Sequence, residues 1–495
     1  MDNSVNLDPL RLEIESFLRE LEEEEYQQRA GLSARSQVAR IYDRYERLWQ
    51  PARVEQVRTV MAAGASTHGP RLLLEFLTHA SLEAEARDLT DRFLSEEAAA
   101  SLAVEERTVP LRGADPAIRE EGDRARRSRL ERARIEAIDR LNPVLRERLA
   151  RLQESVARLG SVSYPALWEE LSGIRLDDLE KLMQGLLART EEMYTDVLKW
   201  MLKRTLGIPL AEAKRHDLAR LFRAAEFDRL LPPGGIRVAA EAAAQKMRID
   251  PRAGGRITID AEVRPAKTSR AFVAPIEVPH RVILVVRPSG GWGDAQAYLH
   301  ELGHALHFAN TDPTLPVEFR RLGDASLTEA YAFLLEGLLL EPGFARQFLE
   351  IPRERDLLRV IALHKLYLLR RYAAKLLYER SLYDGLSEAK MAEAYRDLLS
   401  RATAAEFPSE LYLYDVDPAF YVARYLRAWL FEAQLKERLY ERFDAEWYRN
   451  DRTGPFLLDL WRQGLAPAPE RLAEQLNLGP LELDPLIRSV SRHLN

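Results

Sequence analysis

Between residues 290 and 310 the chain reads GGWGDAQAYLHELGHALHFAN, in which two histidines stand four residues apart with a glutamate directly after the first. On a helix this spacing places His300 and His304 on one face, a turn apart, where two imidazole nitrogens can bind a single zinc ion. Glu301 projects about 100° further round the helix. That position suits a residue that takes a proton from water at the metal without ligating it, the arrangement of H-E-x-x-H. With this chain's His and Glu frequencies, a chance match anywhere has a probability of roughly one or two per cent. Four of the nine histidines (His280, His300, His304 and His307) also fall within 28 residues, which disfavours scattered surface usage.

The remaining coordination follows from what the chain lacks. It contains no cysteine, so a zinc site must be completed by histidine or carboxylate. His307 lies one turn beyond His304, but three-histidine sites place a glycine turn before the third ligand, H-E-x-x-H-x-x-G-x-x-H, and that pattern is absent. His307 is therefore expected to pack or to support the site. The third protein ligand should be a carboxylate further along, with the fourth position left to water. Glu318, Asp324, Glu329 and Glu336 qualify by position. Glu329 lies in DASLTEAYAFLLEGLLLEP, where Ala330, Phe333, Leu334 and Gly337 recur at helical spacing. Ser326-x-x-Glu329 also reads as a capping box, in which Glu329 would only satisfy a backbone N–H.

The elements that must hold these residues are mostly helices. Asp294 is a fitting N-cap for a motif helix running to about Ala309. Asp8 and Pro9 read as N-cap and first residue of a helix with Leu10, Ile14, Phe17, Leu18 and Leu21 on one stripe. Residues 116 to 157 mix both charge signs with apolar residues at helical spacing. Their arginines, interleaved with Glu and Asp, read as a solvated face rather than an RNA-binding one, and Pro143 should interrupt the helix. LPPGG at 231–235 breaks the pattern. GRITIDAEV, RAFVAPIEV and RVILVVRP then read as strands of a small sheet just before the motif. Arg281 to Val286, bounded by Pro279 and Pro288, reads either as a sheet edge on which an extended peptide could pair or as an ordinary buried strand. Helical texture returns after Gly293. The expected fold is mainly α with one small sheet preceding the HExxH helix. Its domains are a helical one over 1–190 and a catalytic one over 191–495, the boundary lying between 160 and 235.

Composition closes off other classes. The 495 residues and 46% hydrophobic content allow a sizeable core. The net charge of −6, from 72 basic and 78 acidic side chains, gives no electrostatic case for nucleic acid or membrane surfaces. MDNSVNLDPLRLEIESFLRELEEEEY lacks the basic start and apolar run of an export signal, and AFLLEGLLLEP is broken by Glu336, so no bilayer span is expected. A cytoplasmic location is the default expectation.

With these residues in view, the sequence resembles the zinc oligopeptidases of the thimet oligopeptidase and oligopeptidase F family. The resemblance rests on HELGHALH at 300–307, TEAYAFLLE with Glu329 25 residues after His304, and DPAFYVARYLRAW at 417–429. It covers mainly residues 265–435. It implies one Zn²⁺ per chain on His300, His304 and Glu329, Glu301 as general base, and helical halves flanking a deep channel that admits short peptides. It also implies that Tyr421 and Tyr425 donate their hydroxyls to the tetrahedral intermediate, a role their spacing of four permits. Two positions depart from the family. Val416 stands where a histidine usually precedes the first tyrosine, with Tyr414 or a neighbouring carboxylate as substitutes, and Ala428 stands where a further tyrosine is usual.

The implied reaction is amide hydrolysis in short peptides by an endo-acting oligopeptidase. Two alternatives remain open. One is a metallocarboxypeptidase similar to carboxypeptidase Taq, although the HESQSR-type segment of that enzyme is replaced here by TEAYAFL. The other is a helical binding protein that keeps a zinc site without catalysis. Peptides amidated at the C-terminus separate the first two: an endopeptidase should cut them at rates close to the free acids, whereas a carboxypeptidase should leave them intact.

Overall fold

The computed structural model describes residues 6–33, 36–64, 67–105, 107–351 and 353–494. Contacts group the chain into two units, neither a single stretch of sequence. The first comprises Met1–Thr78, Ala225–Leu358 and Arg427–Leu486; the second comprises His79–Ala224, Arg359–Leu426 and Ile487–Asn495. Among the described residues, helices dominate both, and no helix is long and apolar enough to cross a membrane.

The second unit contains a short antiparallel hairpin, β1 (Ser101–Val104) with β2 (Arg107–Pro110). It packs helices around Leu130, Ile138, Tyr378, Tyr395 and Phe407. Pro143 acts as expected: one helix ends at Asp139, and the next, Asn142–Arg158, takes the proline in its first turn. The helix Arg124–Asp139 has the expected solvated charged face, with Arg126, Arg129 and Arg132 exposed, but it also buries Arg127, Glu131 and Arg134. The reason is pairing: Arg127 meets the buried Asp217 at 2.9 Å, and Glu131 accepts two hydrogen bonds from Arg215. Mixed charge at helical spacing here marks an ionic core.

In the first unit all three strand-like runs form strands: β3 (Ile257–Asp260), β4 (Phe272–Glu277) and β5 (Arg281–Val285). The order is β3-β5-β4, with β5 parallel to β3 and antiparallel to β4. Arg281–Val285 is thus the central strand, so of the two readings the buried strand holds, and the edge belongs to β4. The continuous run VILV is what burial on both faces demands, and Val282, Ile283, Leu284 and Val285 are all buried. Pro275, which has no N–H to give a neighbour, sits on the edge strand β4, where it is tolerated.

The N-terminal helix Asp8–Arg29 covers one face of this sheet. Its apolar stripe buries Leu10, Ile14 and Phe17, and Ala30 joins Phe272, Ala274, Ile276, Ile283 and Val285 in a local core. A second stripe is charged and docks on the short helix Val317–Arg320 and its flank. Arg11 donates to both oxygens of Glu318 (2.7–3.1 Å), Glu15 pairs with Arg320 at 2.7 Å, and Glu22 pairs with Arg321 at 3.1 Å. Glu318 is only 1% exposed, so its carboxylate depends on that bidentate partner. Arg11→Ala should lower stability by about 3 kcal/mol in chemical denaturation, and adding Glu318→Gln should recover much of the loss by removing the stranded charge. Equal losses in the single and double variants would contradict this account.

Candidate metal centre

The motif helix, Trp292–Ala309, has Gly291 as its N-cap and so starts three residues earlier than Asp294 as N-cap would place it. Gly290 and Gly291 have φ of +79° and +81°, a backbone open to glycine at little cost. Pro233 and the Leu231 carbonyl crowd Gly290, and the Gly291 N–H donates to that carbonyl at 2.8 Å. Asp294 is not the N-cap. It lies in the first turn and accepts the N–H groups of Gly290 (3.0 Å) and Ser289 (3.3 Å), tying the helix to the preceding turn.

One face of this helix packs inward through Leu299, Leu302, Leu306 and Ala305, while His300, Glu301 and His304 stay partly exposed. It crosses the helix Ala325–Glu336 at very short range. A Cβ added to Gly303 would lie 2.5 Å from the Ala332 Cα and 2.7 Å from the Tyr331 carbonyl oxygen, so only glycine allows the two backbones to meet. That crossing carries Glu329 to the histidines. His300 Nε2 and His304 Nε2 are 3.2 Å apart, and Glu329 Oε2 lies 3.4 Å from the first and 3.6 Å from the second. Among the described residues no other group of three potential ligands gathers in this way.

These distances allow a test of fit. A tetrahedral ion with ligands at 2.0–2.1 Å separates neighbouring donor atoms by about 3.3 Å. The three atoms match one face of such a tetrahedron and leave its fourth vertex without a protein ligand. The outer nitrogens fit as well. His300 Nδ1 lies 3.0 Å from Glu336 Oε2, and His304 Nδ1 lies 2.7 Å from Thr328 Oγ1. Such partners fix ring orientation and turn each Nε2 toward the centre. Glu336 also accepts from Gln296 at 2.7 Å, and Phe333, stacked on Trp429, packs its edge against the His300 ring.

The other carboxylates considered for the third position are committed elsewhere. Asp324 is the N-cap of the glutamate helix, accepting Ser326 N–H at 2.9 Å and pairing with Arg427 at 2.6 Å. Glu318 takes Arg11, and Glu336 holds the far side of His300. The capping box imagined for Ser326 and Glu329 does not form: Ser326 lies inside the helix and its hydroxyl accepts from Arg427. Sequence reasoning considered Glu336 only as a ligand and missed Thr328. The available signal was position, since Glu336 follows Glu329 by two helical turns and Thr328 immediately precedes it.

Electrostatics set the protonation states. Burial, reinforced by Glu329, pushes the Glu301 carboxyl up to about 7, against the opposing pull of His300, Arg29 and the Val273 N–H on β4. Burial drives His304 down to about 4, so its ring is neutral. At His300 burial acts downward too, but Glu329 and Glu336 together raise it. His307 is fully buried and held at about 3 by desolvation. It therefore donates from Nε2 to the Gly464 carbonyl at 3.2 Å and packs on Tyr331, a packing role rather than a third nitrogen.

Tyr421 and Tyr425, which belong to the second unit, open the helix Tyr421–Phe443. Their ring centroids are 5.0 Å apart, and Tyr425 also meets Tyr372 edge-on. In the same unit Val416 packs beside apolar neighbours, Tyr414 donates to Glu97 at 2.7 Å, Asp415 accepts Arg371 and Tyr395, and Asp417 pairs with Lys375 at 2.8 Å. Ala428, in the first unit, is fully buried.

No protein-family model matches the chain, and no curated protein matches its sequence. Solved structures do match its fold. A crystal structure at 3.1 Å, provisionally assigned as an oligoendopeptidase F, superposes with a TM-score of 0.65 at 14% identity, over 99% of this chain and 84% of that one. A second with the same provisional assignment, from Bacillus anthracis str. Ames, gives 0.64 at 12% identity, over 94% and 86%. At such identities the likeness establishes the fold.

The tight crossing yields a matched test on one helix. Gly303→Ala should cost about 1–3 kcal/mol or more and lower metal affinity, because backbone must shift. Gly293→Ala, with nothing within 4 Å of the new methyl, should be neutral in both respects. Thermal melts and chelator competition read the two effects, and similar behaviour of both variants would contradict the role given to Gly303.

Proposed function

We propose that this chain is a zinc-dependent peptidase that hydrolyses short peptides. The observation that carries the proposal is the near-equilateral triangle of His300 Nε2, His304 Nε2 and Glu329 Oε2, with edges of 3.2, 3.4 and 3.6 Å, beside the largely buried Glu301. His300, His304 and Glu329 would hold a zinc ion, which would supply Lewis-acid polarisation of the scissile carbonyl and a lowered pKa for water. The rest is the work of the chain's own side chains. Thr328 and Glu336 hold the imidazoles in the tautomer that presents Nε2. Glu301, raised toward neutrality by burial, accepts the proton of the attacking water and passes it to the leaving amine. No covalent attachment to the protein is needed.

The substrate is held by backbone pairing in this reading. β4 is the edge strand of its sheet and lies against the motif helix, and an extended peptide pairing with it would gain affinity with little demand on side-chain identity. Tyr421 and Tyr425 supply phenolic donors to the developing oxyanion, as the resemblance implies. Val416 removes the usual histidine from that support and favours a slower enzyme, or, as the second reading, a peptide-binding protein that keeps its metal. The fold likeness to structures assigned as oligoendopeptidase F supports the peptidase reading.

Metal content and hydrolysis of a quenched-peptide library decide between the readings. Wild type and Glu301→Gln should each hold one zinc per chain, with hydrolysis falling by at least about 100-fold in the variant. Glu329→Ala should lose the metal. Zinc-loaded wild type that cuts no peptide would leave the binding-protein reading.

A further inference from the structure

The N-terminal helix does more than cover the sheet. Glu15, Glu22 and Arg29 follow one another at seven-residue steps and so share one stripe of that helix. The first two are locked to Arg320 and Arg321. The end of the helix is fastened separately: the Ala30 carbonyl accepts from Arg264 Nε at 2.6 Å, and the Arg29 carbonyl accepts from the Thr268 N–H at 2.9 Å. Gly31 presses against the Lys267 backbone so closely that a Cβ would lie 2.7 Å from its nitrogen. The third member of the stripe is thereby delivered to a fixed place.

That place is the start of the edge strand. The Arg29 guanidinium carbon lies 3.9 Å from the centroid of the Phe272 ring, the residue next to Val273, and its charge is felt at Glu301. The neighbouring cations are committed: Lys267 and Arg264 to Asp260, Arg320 to Glu15, Arg321 to Glu22. Arg29 is exposed, and among the described residues its guanidinium makes no hydrogen bond or ion pair. A guanidinium lying on an aromatic face keeps its edge N–H groups available for a bidentate carboxylate.

We propose that Arg29 is a specificity residue that pairs with a carboxylate of a peptide lying along β4, so that peptides carrying a negative charge beside the scissile bond are preferred. The proposal rests on the peptidase reading above for the identity of the ligand. Two groups share this chemistry, an acidic side chain and a free C-terminus, and the substrates separate them.

The test uses the zinc-loaded full chain and matched quenched peptides: free acid against C-terminal amide, and amidated peptides with Glu against Gln near the cleaved bond. Wild type should prefer at least one carboxylate member by about tenfold in kcat/KM. Arg29→Gln should erase that ratio, and Arg29→Lys should retain part of it. The pair that responds identifies the source. Equal melting temperatures of the variants control for folding. A ratio near one in wild type, or a ratio that survives Arg29→Gln, overturns the proposal. If wild type cuts none of these peptides the peptidase reading fails on its own, and Arg29 is then judged by binding. Fluorescence anisotropy on the Glu301→Gln background, with and without Arg29→Gln, must show the same carboxylate preference and its loss, and absence of either overturns the proposal.

Discussion

The site depends on two helices meeting backbone to backbone. At Gly303 the motif helix has no side chain, and the Ala332 region of the glutamate helix fills the space where one would stand. Any Cβ there would push the helices apart. A displacement of even an ångström would take Glu329 out of reach of an ion held by His300 and His304, since ligand distances tolerate only a few tenths of an ångström. Arg427 supports the same geometry from the other end, pairing with the N-cap Asp324 and with Glu470, which fixes where the glutamate helix begins.

Around that contact the polar groups form a graded set. Three carboxylates, Glu301, Glu329 and Glu336, surround two imidazoles, an excess of negative charge that suits a divalent cation. Their roles divide by position. Glu336 lies behind a ring, Glu329 beside both inner nitrogens, and Glu301 to one side against β4, where burial keeps its proton affinity near neutrality. In the proposed reading, three identical side chains thus take an orienting, a ligating and a proton-transferring role from their surroundings alone.

Much of this was legible in the sequence, because the information was local. The spacing of His300 and His304 fixed their shared face. The Val- and Ile-rich runs gave the three strands of the sheet, and Pro143 marked a real helix break. What could not be read was long-range. Four carboxylates between 318 and 336 competed for one position, and only their partners, Arg11 and Arg427 among them, sort them out. The run Arg281–Val286 could be read as an edge or as a buried strand, because strand order depends on β3 and β4 pairing on either side. The buried charges of 124–139 could not be told from solvated ones, because Asp217, the partner of Arg127, and Arg215, the partner of Glu131, lie some eighty to ninety residues later. Arg29 drew no attention, since nothing in the sequence says that a helix ending at residue 29 closes on a strand starting at 272.

The central claim is that His300, His304 and Glu329 hold one ion with a coordination position left open. X-ray absorption spectroscopy of the zinc-loaded protein tests it most directly. The account predicts four light donors at about 2.0–2.1 Å, with the multiple-scattering signature of two imidazoles. Four protein ligands that include groups other than these three, or no bound zinc at all, would contradict it.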